Sequence, residues 1–445
     1  MSSEDQFWKT PGFVWNHFTI KKAVIWLASK LNKPITFLER SDFVNYGMDD
    51  IFDQFEDDSE VTQCVFTDLL SRSFAKSYLP KKSTILIFSP HPDDDVICMG
   101  GTIHKLVKNG NNIHVAYQTS GSLAVFNKEV QRYLIFVQSL SNTVMTSSLD
   151  SFEKILHDIE DERPLAPECA ELVTTLKGKI RQAEAISALK VLEVDREECP
   201  PITSHFLDMP FYKTGTVKKS PIGEADVTCV FDLLMKVQPQ HIFIAGDMSD
   251  PHGTHELCYR AVRSAIGRYE ETMDFEKVSI PQLASLFASA HVEPEHELPV
   301  EVAVPLTPSG KRKQALRYDS KPNFVVRSDF SFGSTNLVKL HHKAKVTRPL
   351  LWLYRGAWQE WNVELSDVFV ELSQADLDRK IESIFAHQSQ KDRAMFPGND
   401  KREFWQRARD RNIDTANNLV ALGLPRFFAC EAFVVTYHEK LNEFD

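Results

Sequence analysis

Hydrophobic and polar positions follow one another in blocks along the chain, and the blocks predict strands and helices in turn. Residues 85–88 form an uninterrupted apolar run with polar flanks, which is typical of a strand buried on both faces. Residues 96–110 then show helical spacing and end at Asn109 and Gly110, and residues 112–121 form a second apolar strand. A strand, a helix and a strand in this order predict a βαβ unit with a parallel sheet.

The same alternation continues toward the C-terminus. A strand at residues 241–247 lies between helical patterns at residues 224–239 and 253–269, and residues 348–358 predict another strand. Between the two strand regions, residues 122–195 are mostly helical in pattern. The predicted fold class is therefore α/β, a Rossmann-like, mostly parallel sheet flanked by helices.

The pattern of apolar and polar positions predicts four segments of the chain. Residues 1–80 are expected to form a helical N-terminal appendage, and residues 81–279 the first part of the α/β domain. Residues 280–345 are rich in proline, serine and charge, which predicts a loop insertion that is partly disordered. Residues 346–445 complete the domain with C-terminal helices, among which residues 429–441 are predicted to be helical.

Composition and charge narrow the class of protein. The chain has 445 residues and a formal net charge of −11, which argues against nucleic-acid binding through bulk charge. Its seven cysteines contain no CxxC pair, which suits free thiols in a reducing compartment. No signal peptide and no stretch of about 18 apolar residues is seen, so a cytoplasmic location without membrane insertion is expected.

Two polar loops carry the candidate chemistry, and each directly follows a predicted strand. The loop after residues 83–88 reads His-Pro-Asp-Asp-Asp, and the loop after residues 241–245 ends in His-Gly-Thr-His. Because reactive loops of a parallel sheet lie at the carboxyl ends of its strands, both loops are expected to meet in one crevice. The side chains that they offer are His91, Asp93, Asp94, Asp95, Asp247, Asp250, His252 and His255.

Three adjacent carboxylates repel one another unless a cation or a reaction uses them. Two histidines and a carboxylate are a typical ligand set for a hydrolytic zinc ion that keeps a position open for water. A further carboxylate beside such a site acts as a general base. The alternative for the first loop is that Asp94 or Asp95 only caps the following helix.

The two loops resemble the signature motifs of the LmbE/PIG-L family of zinc-dependent N-acetylglucosamine deacetylases. Other stretches, among them "HFLDMPFY" and "WLYRGAWQEW", resemble the deacetylase-like half of bacterial glucosamine-6-phosphate deaminase fusion proteins. The resemblance covers most of residues 9–275 and 348–437, whereas the sugar-phosphate deaminase domain itself has no counterpart here. Residues 280–345 have no counterpart in that pattern.

The resemblance implies roles for residues of both motifs. It makes His91, Asp94 and His255 the ligands of Zn²⁺ or another divalent metal. Asp93 is implied as the general base, and His252 as the group that faces the developing oxyanion.

Four further residues are expected to contact the substrate. Arg181, which Glu184 follows three positions later, matches the family's Arg-x-x-Glu helix, although an exposed ion pair is the alternative. Arg355 is expected to bind a phosphate or carboxylate, Trp358 to stack on a sugar, and Thr119 to line the pocket. A structural aromatic cluster is the alternative for the stretch that contains Arg355 and Trp358.

The resulting expectation is a metal-dependent amidohydrolase that removes an acyl group, most simply acetyl, from the nitrogen of an amino sugar. N-Acetylglucosamine and its phosphate are the expected substrates. One alternative is a non-catalytic subunit that partners a separate glucosamine-6-phosphate deaminase, with a homo-oligomer also open. A second alternative, a nucleotide-binding module, would need a glycine-rich phosphate loop, and the chain offers only Met99, Gly100 and Gly101.

Overall fold

A computed structural model describes most of the chain. The described residues are 7–9, 13–73, 79–144, 150–160, 165, 167–213, 218–248, 253–273, 275, 348–356, 359–391 and 402–444. The insertion predicted at residues 280–345 lies outside them.

The described residues form eleven α-helices and seven strands. The helices are α1 His17–Leu31, α2 Arg40–Asn45, α3 Asp58–Ser73, α4 Asp94–Lys108, α5 Asn127–Val144, α6 Asp150–Glu160, α7 Pro167–Leu192, α8 Glu224–Val237, α9 Thr254–Met273, α10 Gln374–Phe385 and α11 Phe404–Ala421. The strands are β1 Thr84–Ser89, β2 Asn112–Tyr117, β3 Thr203–Phe206, β4 His241–Ala245, β5 Leu350–Tyr354, β6 Val368–Leu372 and β7 Ala429–Thr436.

All seven strands belong to one sheet with the order β3-β2-β1-β4-β5-β7-β6. β1 pairs in parallel with both β2 and β4, and β3 and β5 extend the parallel part on either side. β7 is antiparallel to both of its neighbours. The predicted α/β class with a mostly parallel sheet is confirmed.

Helices cover both faces of the sheet, which explains why β1 is apolar at every core position. Leu86 and Phe88 pack into one hydrophobic cluster with α1, α3, α8 and α9. Ile85 and Ile87 pack into a second cluster, on the opposite face, with α4 and α7. A strand buried on both faces has no solvent side and therefore cannot alternate with polar residues.

The N-terminal helices pack onto the first of these clusters. α1 begins at a capping box in which Asn16 accepts from the Thr19 backbone N–H at 3.0 Å. Its Val24 and Leu27, together with Val65 and Leu69 of α3, are buried in the cluster that contains Leu86 of β1. Whether residues 1–80 are a separate appendage stays a prediction.

The prediction of a helix at residues 429–441 is wrong, because the first eight of these residues form strand β7. All eight residues of this strand are buried, so no polar alternation marks it. A short apolar run cannot be assigned to a strand or a helix by periodicity alone. Val434, Val435 and Thr436 are β-branched and were the local signal for a strand.

No helix in the part of the chain that the structure describes is both long enough and apolar enough to cross a membrane.

Candidate active site

The site lies where the direction of strand order reverses. From β1 the chain proceeds to β2 and β3 on one side of the sheet, and to β4 and β5 on the other. β1 and β4 are direct neighbours, so the loops after them share the crevice at their carboxyl ends. This adjacency confirms the expected meeting of the two loops.

Asp94 is the centre of a three-residue cluster built from both loops. Its Oδ2 lies 3.0 Å from His91 Nδ1 and 3.2 Å from His255 Nε2, and it also accepts the backbone N–H of His91 at 2.9 Å. Although burial raises the pKa of Asp94, the charges and hydrogen bonds of His255 and His91 hold it well below its usual value. The site therefore contains an ionised carboxylate between two imidazoles.

His255 is oriented by a second hydrogen bond. Its Nδ1 lies 3.1 Å from the backbone carbonyl of Asp247 and donates to it, which leaves Nε2 facing Asp94. The Asp247 carboxylate accepts the Gln359 backbone N–H at 3.2 Å. Metal-ligating histidines are oriented in this way in proteins.

Asp95 points away from the cluster and into the sheet. Its two oxygens accept from the hydroxyls of Ser89 at 3.2 Å and Tyr117 at 3.1 Å. Burial raises the pKa of Asp95 to about 7, against the lowering effect of the Tyr117 hydrogen bond. Asp95 thus links the loop to β1 and β2.

Asp93, the third acid, faces α7. Its Oδ1 forms a buried ion pair with Arg181 Nη2 at 2.9 Å. Glu184, which is also buried, accepts the backbone N–H and the hydroxyl of Ser389 at 2.7 Å each. The two α7 residues are 1% and 4% exposed and bond to different partners, so they do not form the exposed ion pair given as the alternative.

Gly121 allows Arg181 to approach the first loop. It has φ +63, and a Cβ there would lie 2.9 Å from Pro92 Cδ and 3.0 Å from Arg181 Nε. Both the backbone conformation and the close contact favour glycine at this position.

A small cleft opens beside Asp93. Most of its other walls come from α10, the loop after α10, and the start of α11. The lining residues are Asp93, Ile97, Ile384, Phe385, His387, Gln390, Lys391, Glu403, Phe404 and Trp405.

His387 is the polar residue of this cleft that stands out. It is buried, and both of its ring nitrogens lack a hydrogen-bond partner among the described residues. Burial lowers the pKa of His387 to about 4, so its imidazole is neutral near pH 7. A buried polar group without partners indicates a ligand or water that completes its hydrogen bonds.

Sequence reasoning did not include His387 among the site residues. The available signal was the density of polar side chains at the end of a predicted helix, in "HQSQKDR". Nothing in the sequence indicated that His387 lies near Asp93. The two residues are distant along the chain and are brought together only by the packing of α10 against α4 and α7.

Two predicted substrate residues have structural partners here. Thr119 is buried, and its hydroxyl donates to the Pro90 carbonyl at 2.8 Å, which ties β2 to the first loop. Arg355 donates from Nε to the Gly246 carbonyl at 2.9 Å and stacks on Trp361 with its guanidinium carbon 3.8 Å from the ring centre. Substrate contacts of Thr119 and Arg355 stay predictions.

Two predicted site residues, His252 and Trp358, lie outside the described residues, as does Asp250. Within the described ranges, the structure brings together His91, Asp94 and His255, whose donor atoms all lie within 4.8 Å of one another. Asp93 and Arg181 lie beside them as an ion pair.

Residues 86–266 match the family model described as PIG-L: GlcNAc-PI de-N-acetylase. A glucosamine-6-phosphate deaminase-like protein of Bacteroides thetaiotaomicron is 32% identical over 446 residues, which cover 96% of this chain and 56% of that protein. The diacetylchitobiose deacetylase of Thermococcus kodakarensis is 28% identical over 135 residues, or 29% of this chain and 49% of that protein. This chain thus spans about half the length of these curated relatives.

Among solved structures, the N,N'-diacetylchitobiose deacetylase of Pyrococcus horikoshii covers 87% of this chain and 96% of its own, at 15% identity and a TM-score of 0.41. The family model spans both site loops, from before His91 to beyond His255. Residues 86–266, which include both site loops, are therefore the part of the chain that matches the PIG-L family.

Proposed function

We propose that this protein is a metal-dependent N-deacetylase that removes an acetyl group from an amino sugar, such as N-acetylglucosamine or its phosphate. The observation that carries the proposal is the convergence of His91, Asp94 and His255 beside the Asp93–Arg181 ion pair. The family description, GlcNAc-PI de-N-acetylase, and the named activity of the diacetylchitobiose relative support an N-acetylated sugar as substrate.

The three converging residues fit a metal ion by donor type and by orientation. Two imidazole nitrogens and one ionised carboxylate oxygen suit Zn²⁺. His255 already donates its other nitrogen to a backbone carbonyl, which is the arrangement typical of a ligand. A bound zinc ion supplies positive charge that polarises an amide carbonyl and makes water easier to deprotonate.

Asp93 is placed to move the proton. The Arg181 guanidinium holds one of its carboxylate oxygens at 2.9 Å. The other oxygen is left to accept a proton from the attacking water and to return it to the departing sugar nitrogen. His252 is proposed as the group that stabilises the oxyanion.

The cleft beside Asp93 is proposed to hold the sugar. The neutral imidazole of His387 and the amide of Gln390 offer hydrogen bonds to hydroxyl groups, and Trp405 offers an aromatic surface. Arg355, Trp358 and Thr119 stay proposed substrate contacts.

The test compares the three neighbouring acids as a matched set. Purified protein is assayed for bound zinc and for amine release from N-acetylglucosamine 6-phosphate and from diacetylchitobiose. Asp93→Asn is expected to keep zinc and lose at least 100-fold in kcat. Asp94→Asn is expected to lose zinc, and Asp95→Asn, whose side chain faces the sheet, to keep both zinc and most of the turnover.

Equal losses in all three variants would contradict the assignment of separate roles. Zinc binding without turnover on either sugar would favour the non-catalytic partner of a glucosamine-6-phosphate deaminase. Absence of zinc binding in the unchanged protein would remove the metal site from the proposal.

A further inference from the structure

Helix α4, which carries Asp94 in its first turn, is broken in the middle. Met99 has φ −137 and ψ 25, which are not helical, so a short first half ends there and a second half begins at the next residues. A break of this kind leaves carbonyls of the first half and N–H groups of the second half without helical partners. Because these residues are buried, other groups must satisfy them.

A buried ion pair from two other elements satisfies both sides of the break. Lys380 of α10 donates from Nζ to the Cys98 carbonyl of the first half at 3.3 Å. Glu431 of β7 accepts the backbone N–H groups of Gly101 and Thr102 in the second half at 3.2 and 2.7 Å. Lys380 and Glu431 bond to each other at 2.7 Å.

The signs of the two charges match the two helix ends. A cation is favourable at the C-terminal end of the first half, and an anion at the N-terminal end of the second. Lys380 and Glu431 are 0% and 1% exposed, and Asn412 of α11 also accepts from Lys380 Nζ at 2.7 Å. A charged pair this deeply buried is poor evidence for stability alone, because an apolar pair of similar volume often serves equally well.

The two glycines after the break pack closely against α10 and β6. A Cβ at Gly100 would lie 3.1 Å from Lys380 Cγ, and a Cβ at Gly101 would lie 2.6 Å from Leu372 Cδ2 of β6. The two glycines that would have formed a phosphate loop in a nucleotide-binding protein thus serve the approach of α4 to α10 and β6.

We propose that Lys380 and Glu431 are positioning residues for the active site, which hold the first half of α4 in the direction that brings Asp93 to Arg181 and Asp94 to His255. The pair acts through the backbone and does not touch the reacting groups. This inference rests on the proposed function only in so far as metal binding is one of its readouts.

The test replaces the pair as a unit. Lys380→Met with Glu431→Leu removes both charges, keeps side chains of similar volume in the core, and leaves the Cys98 carbonyl and the Thr102 N–H without these partners. The control is Arg348→Met with Glu270→Leu, which removes a partly buried ion pair at 2.7 Å between the residue two positions before β5 and the distal part of the helix that carries His255. If the double variant does not fold, Thr102→Val, which removes a 2.6 Å hydrogen bond to Glu431, takes its place.

Two measurements are made on each protein. Zinc affinity by chelator competition is expected to weaken about 10- to 100-fold in the Lys380/Glu431 variant and less than 3-fold in the control. Amide hydrogen exchange, measured without metal, is expected to accelerate at least tenfold at residues 96–99 in the first variant, while residues 103–107 change little.

The two measurements separate failure of this inference from failure of the proposed function. Unchanged exchange at residues 96–99 overturns the positioning role whether or not zinc binds. Accelerated exchange with unchanged zinc affinity also overturns it, because the metal ligand would then be independent of the pair. If the unchanged protein binds no zinc, the proposed metal site fails, and the exchange data alone decide the positioning role.

Discussion

Substitution of Gly121 gives the sharpest quantitative prediction, because a side chain there has two separate costs in unfolding free energy. In Gly121→Ala, a non-glycine residue at φ +63 costs about 1–2 kcal/mol. The new Cβ would also lie 2.9 Å from Pro92 and 3.0 Å from Arg181, which adds about 1–3 kcal/mol for overpacking. The expected loss is about 2–5 kcal/mol of unfolding free energy. Displacement of Arg181 from Asp93 is expected to lower turnover as well.

Gly253 supplies the matched control. It has φ +64, almost the same as Gly121, but no atom of the described residues lies within 4 Å of the position of its Cβ. Gly253→Ala is therefore expected to cost only the backbone part, about 1–2 kcal/mol. Urea unfolding midpoints of both variants, compared at a common m-value, give the difference. Equal destabilisation in the two variants would refute the packing of Gly121 against Pro92 and Arg181.

Two further predictions concern α10 and the loop after it. His387→Leu is expected to raise the unfolding free energy by about 1 kcal/mol, since it removes buried polar atoms that have no partner among the described residues, and to lower kcat/KM at least tenfold; loss of stability with unchanged turnover would contradict this. Asp376 caps α10 with Ser373 and pairs with Lys105 at 3.0 Å. Although burial raises the pKa of Asp376, the hydrogen bonds from Ser373 and Lys105 lower it to about 2, below an unfolded value of about 3.9. Asp376→Asn is expected to cost about 1–2 kcal/mol at pH 7, and the gap from the unchanged protein narrows as the pH falls below about 4; a gap that stays constant in thermal melts between pH 6 and pH 3 would count against it.

Much of the parallel sheet could be predicted because its strands are buried on both faces. Such strands are apolar at consecutive positions, and the polar loops that follow them are visible in the sequence. The convergence of the two loops was expected only if both strands lay near the sheet centre, and the pairing of β1 with β4 meets that condition. Strand β7 was predicted as a helix, because a short apolar run that contains a buried glutamate, Glu431, shows neither strand nor helix periodicity.

The order of amino acids alone shows which chemical groups stand at the ends of which strands. It placed three aspartates after β1 but could not say that Asp93 faces Arg181, Asp94 the two histidines, and Asp95 the sheet. Neighbouring residues at a helix start point in different directions, and the partner of each depends on what packs there.

The long-range pairs arise from the packing of elements that are distant in sequence. His387 reaches the cleft beside Asp93, and Lys380 and Glu431 reach the break in α4, from elements far away along the chain. Local spacing fixes which side of a helix or strand a residue occupies, and it carries no information on which element lies opposite. That choice is made when helices and strands pack, and here it sets both the position of the acids and the walls of the cleft.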